Sequence, residues 1–144
     1  MKRTLIAFAL SLATSQVFAM DSLSHLEWKK RVLILFGDKG DASIARQVGI
    51  LTSQKAELAE RDMVVLQVSG DVVETIYGDA DRIDARRLRA EANIADGAFH
   101  VVLVGKDGGV KLKSDTVVSD VEMFDLIDRM PMRRGGKGLS LIHI

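Results

Sequence analysis

The residues richest in chemical possibilities lie in one loop. Gly37-Asp38-Lys39-Gly40-Asp41-Ala42-Ser43 separates an apolar run, R-V-L-I-L-F at Arg31 to Phe36, from the start of a helical pattern. A loop between a strand end and a helix N-terminus offers backbone N–H groups to an anion. Asp38 and Asp41 bring negative charge to the same spot and suit capping of those N–H groups. An anion site and a self-capped loop are therefore both open readings. Ser43 as a nucleophile would need a base beside it. Between the leader and the last six residues the chain offers His25, near the front, and His100, inside a later apolar run. Neighbours of His100 alternate toward opposite faces of a sheet, so it reads as a packed histidine rather than a general base.

Other charged groups invite weaker readings. Asp79, Asp81 and Asp84 resemble a calcium loop, but the glycine at its sixth position and the glutamate at its twelfth are missing. They read as a solvated acidic loop, and no metal site or cofactor is expected. Arg82, Arg86, Arg87 and Arg89 are interleaved with Asp81, Asp84 and Glu91, which reads as a salt-bridged helix surface. Lys106, Lys111, Lys113, Arg133 and Arg134 form the better binding candidate, a basic patch for an acidic protein partner or an anionic surface.

Composition excludes more than these side chains propose. The 144 residues contain no cysteine. This chain therefore has no thiol nucleophile, no disulfide exchange, no thiolate metal site and no cysteine-based peroxidase chemistry. Any core must hold without a disulfide. Past residue 19, all 20 acidic residues face 18 basic ones, a net charge of minus 2, which gives no nucleic-acid signature.

The elements that position these groups follow from periodicity. Arg31 to Phe36 and Met63 to Val68 are continuous apolar runs, the pattern of strands buried on both faces. Between them, Ile44, Val48, Leu51 and Leu58 recur at helical spacing after Asp41, a suitable N-cap. Asp71 to Ile83 reads as a loop or a short helical turn, and Asp84 to Asn93 as a helix. Phe99 to Val104 is a third apolar strand. Lys106-Asp107-Gly108-Gly109 is a tight turn into the half-exposed strand Val110 to Lys113. Ser119 and Glu122 form a capping box for a last helix ending at Pro131.

The predicted order is strand, helix, strand, helix, strand, strand, helix. Two helical crossovers imply a central four-stranded mixed sheet, three strands parallel and one antiparallel from the hairpin, flanked by helices. This is an α/β fold of thioredoxin-like type.

The two ends stand apart. Lys2 and Arg3, the apolar run Leu5 to Ala13 and the ending Val17-Phe18-Ala19 form a signal peptide over residues 1–19. A soluble periplasmic or secreted protein with no retained transmembrane anchor is expected. Leu139 to Ile144 back-translates to a transposase adapter of sequencing libraries, so residues 139–144 are expected to be a sequencing artefact. A single domain over residues 20–138 remains, with the true C-terminus open.

Several motifs also match a family. Trp28 ahead of R-V-L-I-L-F, Gln47, E-R-D-M-V-V at Glu60 to Val65, V-V-L-V-G-K-D-G-G-V-K-L at Val101 to Leu112 and L-I-D-R-M-P-M-R at Leu126 to Arg133 resemble domain of unknown function 4174. The resemblance implies a thioredoxin-like fold in exported bacterial proteins and brings no catalytic residue. Redox-active thioredoxins carry paired cysteines where this chain has Asp38 to Ser43. They carry a cis-proline where it has Asp96-Gly97-Ala98-Phe99. The expected function is a non-catalytic binding or interaction module of the bacterial cell envelope. The alternative is an enzyme with a carboxylate or lysine site that draws on Asp38, Asp41, Lys106 and Asp128.

Overall fold

A computed structural model describes residues 20–130. The expected leader, the suspected adapter tail, Arg133 and Arg134 lie outside the described residues. A 3-10 helix, Asp21–Leu26, precedes strand β1, Arg31–Phe36. Helices α1, Ala42–Thr52, and α2, Lys55–Glu60, lead to β2, Met63–Ser69, and β3, Val72–Tyr77. Helix α3, Ala85–Ala92, is followed by β4, His100–Val104, β5, Val110–Ser114, and helix α4, Asp120–Asp128.

The sheet has five strands in the order β3-β2-β1-β4-β5, not four. Only β1 and β2 run parallel, and β4 lies antiparallel to β1, with Val32 opposite Val104 and Phe36 opposite His100. The reason is the segment after Ser69. Gly70, at φ 58°, turns the chain back so that Val72 pairs with Ser69 and β3 descends along β2. The crossover through α3 therefore starts from a reversed strand and returns a strand of the same reversed direction. V-V-E-T-I-Y is rich in β-branched and aromatic residues, which suits an edge strand. Its half-exposed pattern and a bulge opposite Val65 and Leu66 hide the alternation.

Because β1 is central, all six of its residues are buried and they alternate between two cores. Val32, Ile34 and Phe36 face the 3-10 helix and α3, packing with Leu23, Leu26, Leu88 and Val102. Leu33 and Leu35 face α1, α2 and α4, packing with Ile44, Leu51, Leu58, Phe124 and Ile127. Each such side chain contributes about 1.5–3 kcal/mol on burial.

Helix ends follow local chemistry. Asp41, Asp84 and Ser119 accept backbone N–H bonds from Ser43, Arg86 and Glu122 and so cap α1, α3 and α4. The predicted continuous helix from Asp41 to Leu58 is instead two. The Thr52 and Ser53 hydroxyls donate to the Val48 and Ile50 carbonyls at 2.9 and 2.8 Å, which competes with the helix ladder where α1 stops. Gln47, buried in α1, is bonded reciprocally to the Val118 backbone, donating from Nε2 at 3.0 Å and accepting at Oε1 at 2.8 Å.

Candidate functional site

The loop after β1 is occupied by its own backbone. Asp41 Oδ1 accepts the Ser43 N–H at 2.8 Å, and the Asp41 N–H donates to the Asp38 carbonyl at 3.0 Å. Two of the N–H groups that an anion would use are thus already bonded within the loop. Asp38 is exposed, and among the described residues no hydrogen bond joins Ser43 to His25 or His100. His25 lies toward the other end of the molecule, where its Nε2 accepts the Asp81 N–H at 3.0 Å. His100 begins β4 opposite Phe36 and borders a shallow depression with Lys113, Ser114, Asp115 and Glu122.

Since β4 is antiparallel to β1, the turn carrying Lys106 sits at the amino end of β1, opposite the Asp38 loop. Asp128 is also at that amino end, paired with Arg61 at 3.0 Å. Asp38 and Asp41 therefore do not converge with Lys106 and Asp128. Nor do the predicted lysines form one patch. Lys113 donates to the Ala92 and Asn93 carbonyls at 3.0 and 3.2 Å, at the C-terminal end of α3. Lys106 and Lys111 line a cleft of about 460 Å3 with Trp28, Asp107, Leu126, Arg129 and Met130.

Three distant segments build that cleft. After the 3-10 helix, the Trp28 N–H donates to the Lys106 carbonyl at 2.6 Å, which straps the N-terminal segment to the β4–β5 turn. Trp28 adopts φ 68°, a left-handed conformation that is an outlier for a bulky residue. Trp28 is 60% exposed on the rim of the cleft, so it is not packed into the sheet as a tryptophan before a core strand would be. The turn supplies the second wall. Gly108, at φ 86°, allows the reversal, and Gly105 gives room to Lys111, whose Cε would stand 2.6 Å from any Cβ placed there. The end of α4 supplies the third wall, Leu126, Arg129 and Met130, and the buried Arg31 borders the cleft, donating to the Arg61 carbonyl at 2.9 Å.

Charge in this region is partly paired. Lys106 donates to Asp62 at 2.9 Å, and that hydrogen bond holds the Asp62 carboxyl below its ordinary value of 3.8. The Gly109 N–H, followed by Lys111, does the same for Asp107. Arg129 is exposed and, among the described residues, makes no ion pair. A second depression of about 540 Å3 lies alongside, lined by His25, Lys29, Lys30, Asp62, Tyr77 and Asp81, so the Lys106–Asp62 pair links the two walls.

Trp28 and Arg129 were not among the predicted site residues. Their signals were present: Trp28 is followed at once by Lys29 and Lys30, a polar flank unsuited to a buried ring, and Arg129 closes the apolar face of the last helix.

Comparison with known proteins agrees with this scaffold. The family described as Domain of unknown function (DUF4174) matches residues 22–135. The chain is 32% identical over 130 residues to Coiled-coil domain-containing protein 80 of Danio rerio, an alignment covering 78% of this chain and 15% of that protein. The chain thus spans less than a sixth of that relative's length. Among solved structures it is similar to the reduced 2-Cys peroxiredoxin of Plasmodium vivax, with a TM-score of 0.55 and 17% identity over 74% of this chain and 80% of that one. The mitochondrial 2-Cys peroxiredoxin of Plasmodium falciparum gives a TM-score of 0.51 and 14% identity over 84% and 80%. These likenesses show a thioredoxin-like fold.

Proposed function

The chain belongs to the family described as domain of unknown function 4174, and from that premise we propose that it is a non-redox binding module of the bacterial cell envelope. The leader at residues 1–19 is the ground for placing it in the periplasm or outside the cell. The partner is a protein with an acidic surface, and the docking site is the cleft between Trp28, the β4–β5 turn and the end of α4.

One observation carries this reading. The single tryptophan of the chain is held in a strained backbone conformation and left exposed beside Lys106, Lys111 and Arg129. Strain at φ above zero costs of order 1–3 kcal/mol and persists where surrounding structure imposes it, commonly at functional positions. Aromatic and arginine side chains are also the usual anchors of protein interfaces. Against catalysis stand the lack of cysteine and the separation of the acidic loop from Lys106 by the length of the sheet.

The test is capture from bacterial envelope extracts with the wild-type chain and with a K111E/R129E variant. The expected result is a protein retained by the wild type and lost by the variant. Retention of nothing above background, or equal retention by both, removes the reading. Turnover of a disulfide or peroxide by the purified chain alone would remove it as well.

A further inference from the structure

We propose that the occupant of the Trp28 cleft is an acidic peptide segment carrying one large apolar side chain, the acidic groups meeting Lys111 and Arg129 and the apolar side chain lying against Trp28, Leu126 and Met130. This rests on the reading of the chain as a binding module and specifies what that module recognises.

The lining divides into two chemistries. Trp28, Leu126, Met130 and the stems of the lysines present apolar surface, and the cleft, at about 460 Å3, has room for a large side chain. Around that surface stand cations in different states. Lys106 is half-buried and held by Asp62 at 2.9 Å, so it acts as part of the wall. Lys111 is bound to Asp107 at 3.0 Å in a pair open to solvent, and such pairs are weak and readily exchanged. Asp107 keeps a second donor when Lys111 leaves, because its Oδ1 accepts the Gly109 N–H at 2.9 Å. The Lys111 stem lies over Gly105, where the missing side chain leaves it room. Arg129 has no carboxylate partner among the described residues, and its planar guanidinium suits bidentate pairing with one.

The charge sign selects the occupant. The continuation of the chain beyond Met130, P-M-R-R-G-G-K-G, is basic and would meet like charge in the cleft. A neutral apolar segment would leave Arg129 without a carboxylate. An acidic segment without an apolar side chain would leave Trp28, Leu126 and Met130 in water.

Trp28 reports its own site, since no other tryptophan contributes to the emission. The probe is a blocked five-residue peptide of Asp and Glu around a central Leu, titrated into the purified chain at low salt. The expected result is a saturable change of Trp28 emission, an affinity that falls with added salt, and a loss of about tenfold in K111A/R129A. Both substitutions are at exposed positions, and a circular dichroism spectrum matching wild type shows that the variant is folded. R129K alone should retain more affinity than R129A, because it keeps the charge.

Equal binding of a peptide with Gly in place of Leu overturns the proposal, as does equal binding of one with Asn and Gln in place of the acids. A response to phosphatidylglycerol vesicles but not to peptide overturns it in favour of a lipid surface. A partner recovered from extracts together with no response to any peptide overturns this ligand class and leaves the binding-module reading standing. Failure of both experiments removes the reading itself.

Discussion

At the carboxyl end of β1, Asp41 is turned back on the backbone as the cap of α1; at the amino end, an indole and a guanidinium face open space. Asp41 caps α1 through the Ser43 N–H, and the Asp38 carbonyl takes the Asp41 N–H. Across the sheet, Arg61 is buried between Asp128, Glu57 and the Phe124 ring, a support for the cleft rather than a part of it. Above that support Trp28 and Arg129 are exposed. Polar groups consumed by local structure stabilise the fold, while those that the fold holds in place without satisfying them are available to a partner. At the end of the sheet usual for ligands in open α/β folds, the helix start is here capped by the chain itself.

The largest expected effect that would sharpen this contrast is at the support. R61A removes hydrogen bonds of 3.0 Å to each Asp128 oxygen, one of 2.7 Å to Glu57, and the cation over Phe124 at 4.3 Å. With both carboxylates partly solvated, the loss of unfolding free energy should be about 2 kcal/mol by urea titration. Next comes the opposite end. D41A removes one N-cap and should cost about 1 kcal/mol, without altering Trp28 emission. A larger loss for D41A than for R61A would break the comparison.

Acid should weaken the cleft end through Asp62. Lys106 hydrogen bonding, against the opposing effect of burial, depresses Asp62 below 3.8. A carboxyl with a lowered folded value contributes stability that is fully present above its unfolded value and is lost as pH falls through the folded one. D62N should therefore reduce the fall in Tm on acidification below pH 3.8. The smallest effects belong to K113A, which withdraws a cation from the last carbonyls of α3, and to D38N. About 0.5 kcal/mol or less is expected for each. A clear loss of peptide affinity in K113A would show that the basic surface extends farther along β5 than the cleft does.

Much of the scaffold was legible because buried strands announce themselves. R-V-L-I-L-F and M-V-V-L-Q-V are almost wholly apolar runs, and Asp41, Asp84 and Ser119 stand where helices begin. Strand β3 was not legible. Its residues are half-exposed at an edge, and a bulge opposite Val65 and Leu66 breaks the alternation that marks a strand. Missing that one strand reversed the inferred direction of β4 and placed the lysine turn at the wrong end. The cleft was legible only in pieces, because Trp28, Lys106 and Arg129 meet through strand pairing and helix docking rather than through spacing. Lys113 shows the converse, a residue adjacent to Lys111 in pattern but turned away toward α3.

The central place of β1 also governs how the chain can be made. Val32 pairs with Val104, seventy-two positions later, so the innermost strand waits for one of its two neighbours through most of synthesis. Contacts so far apart slow folding. A chain halted before His100 would display an unpaired strand edge of six otherwise buried residues, the kind of surface on which other chains assemble. Shortened fragments of this domain should accordingly aggregate rather than persist as partial sheets.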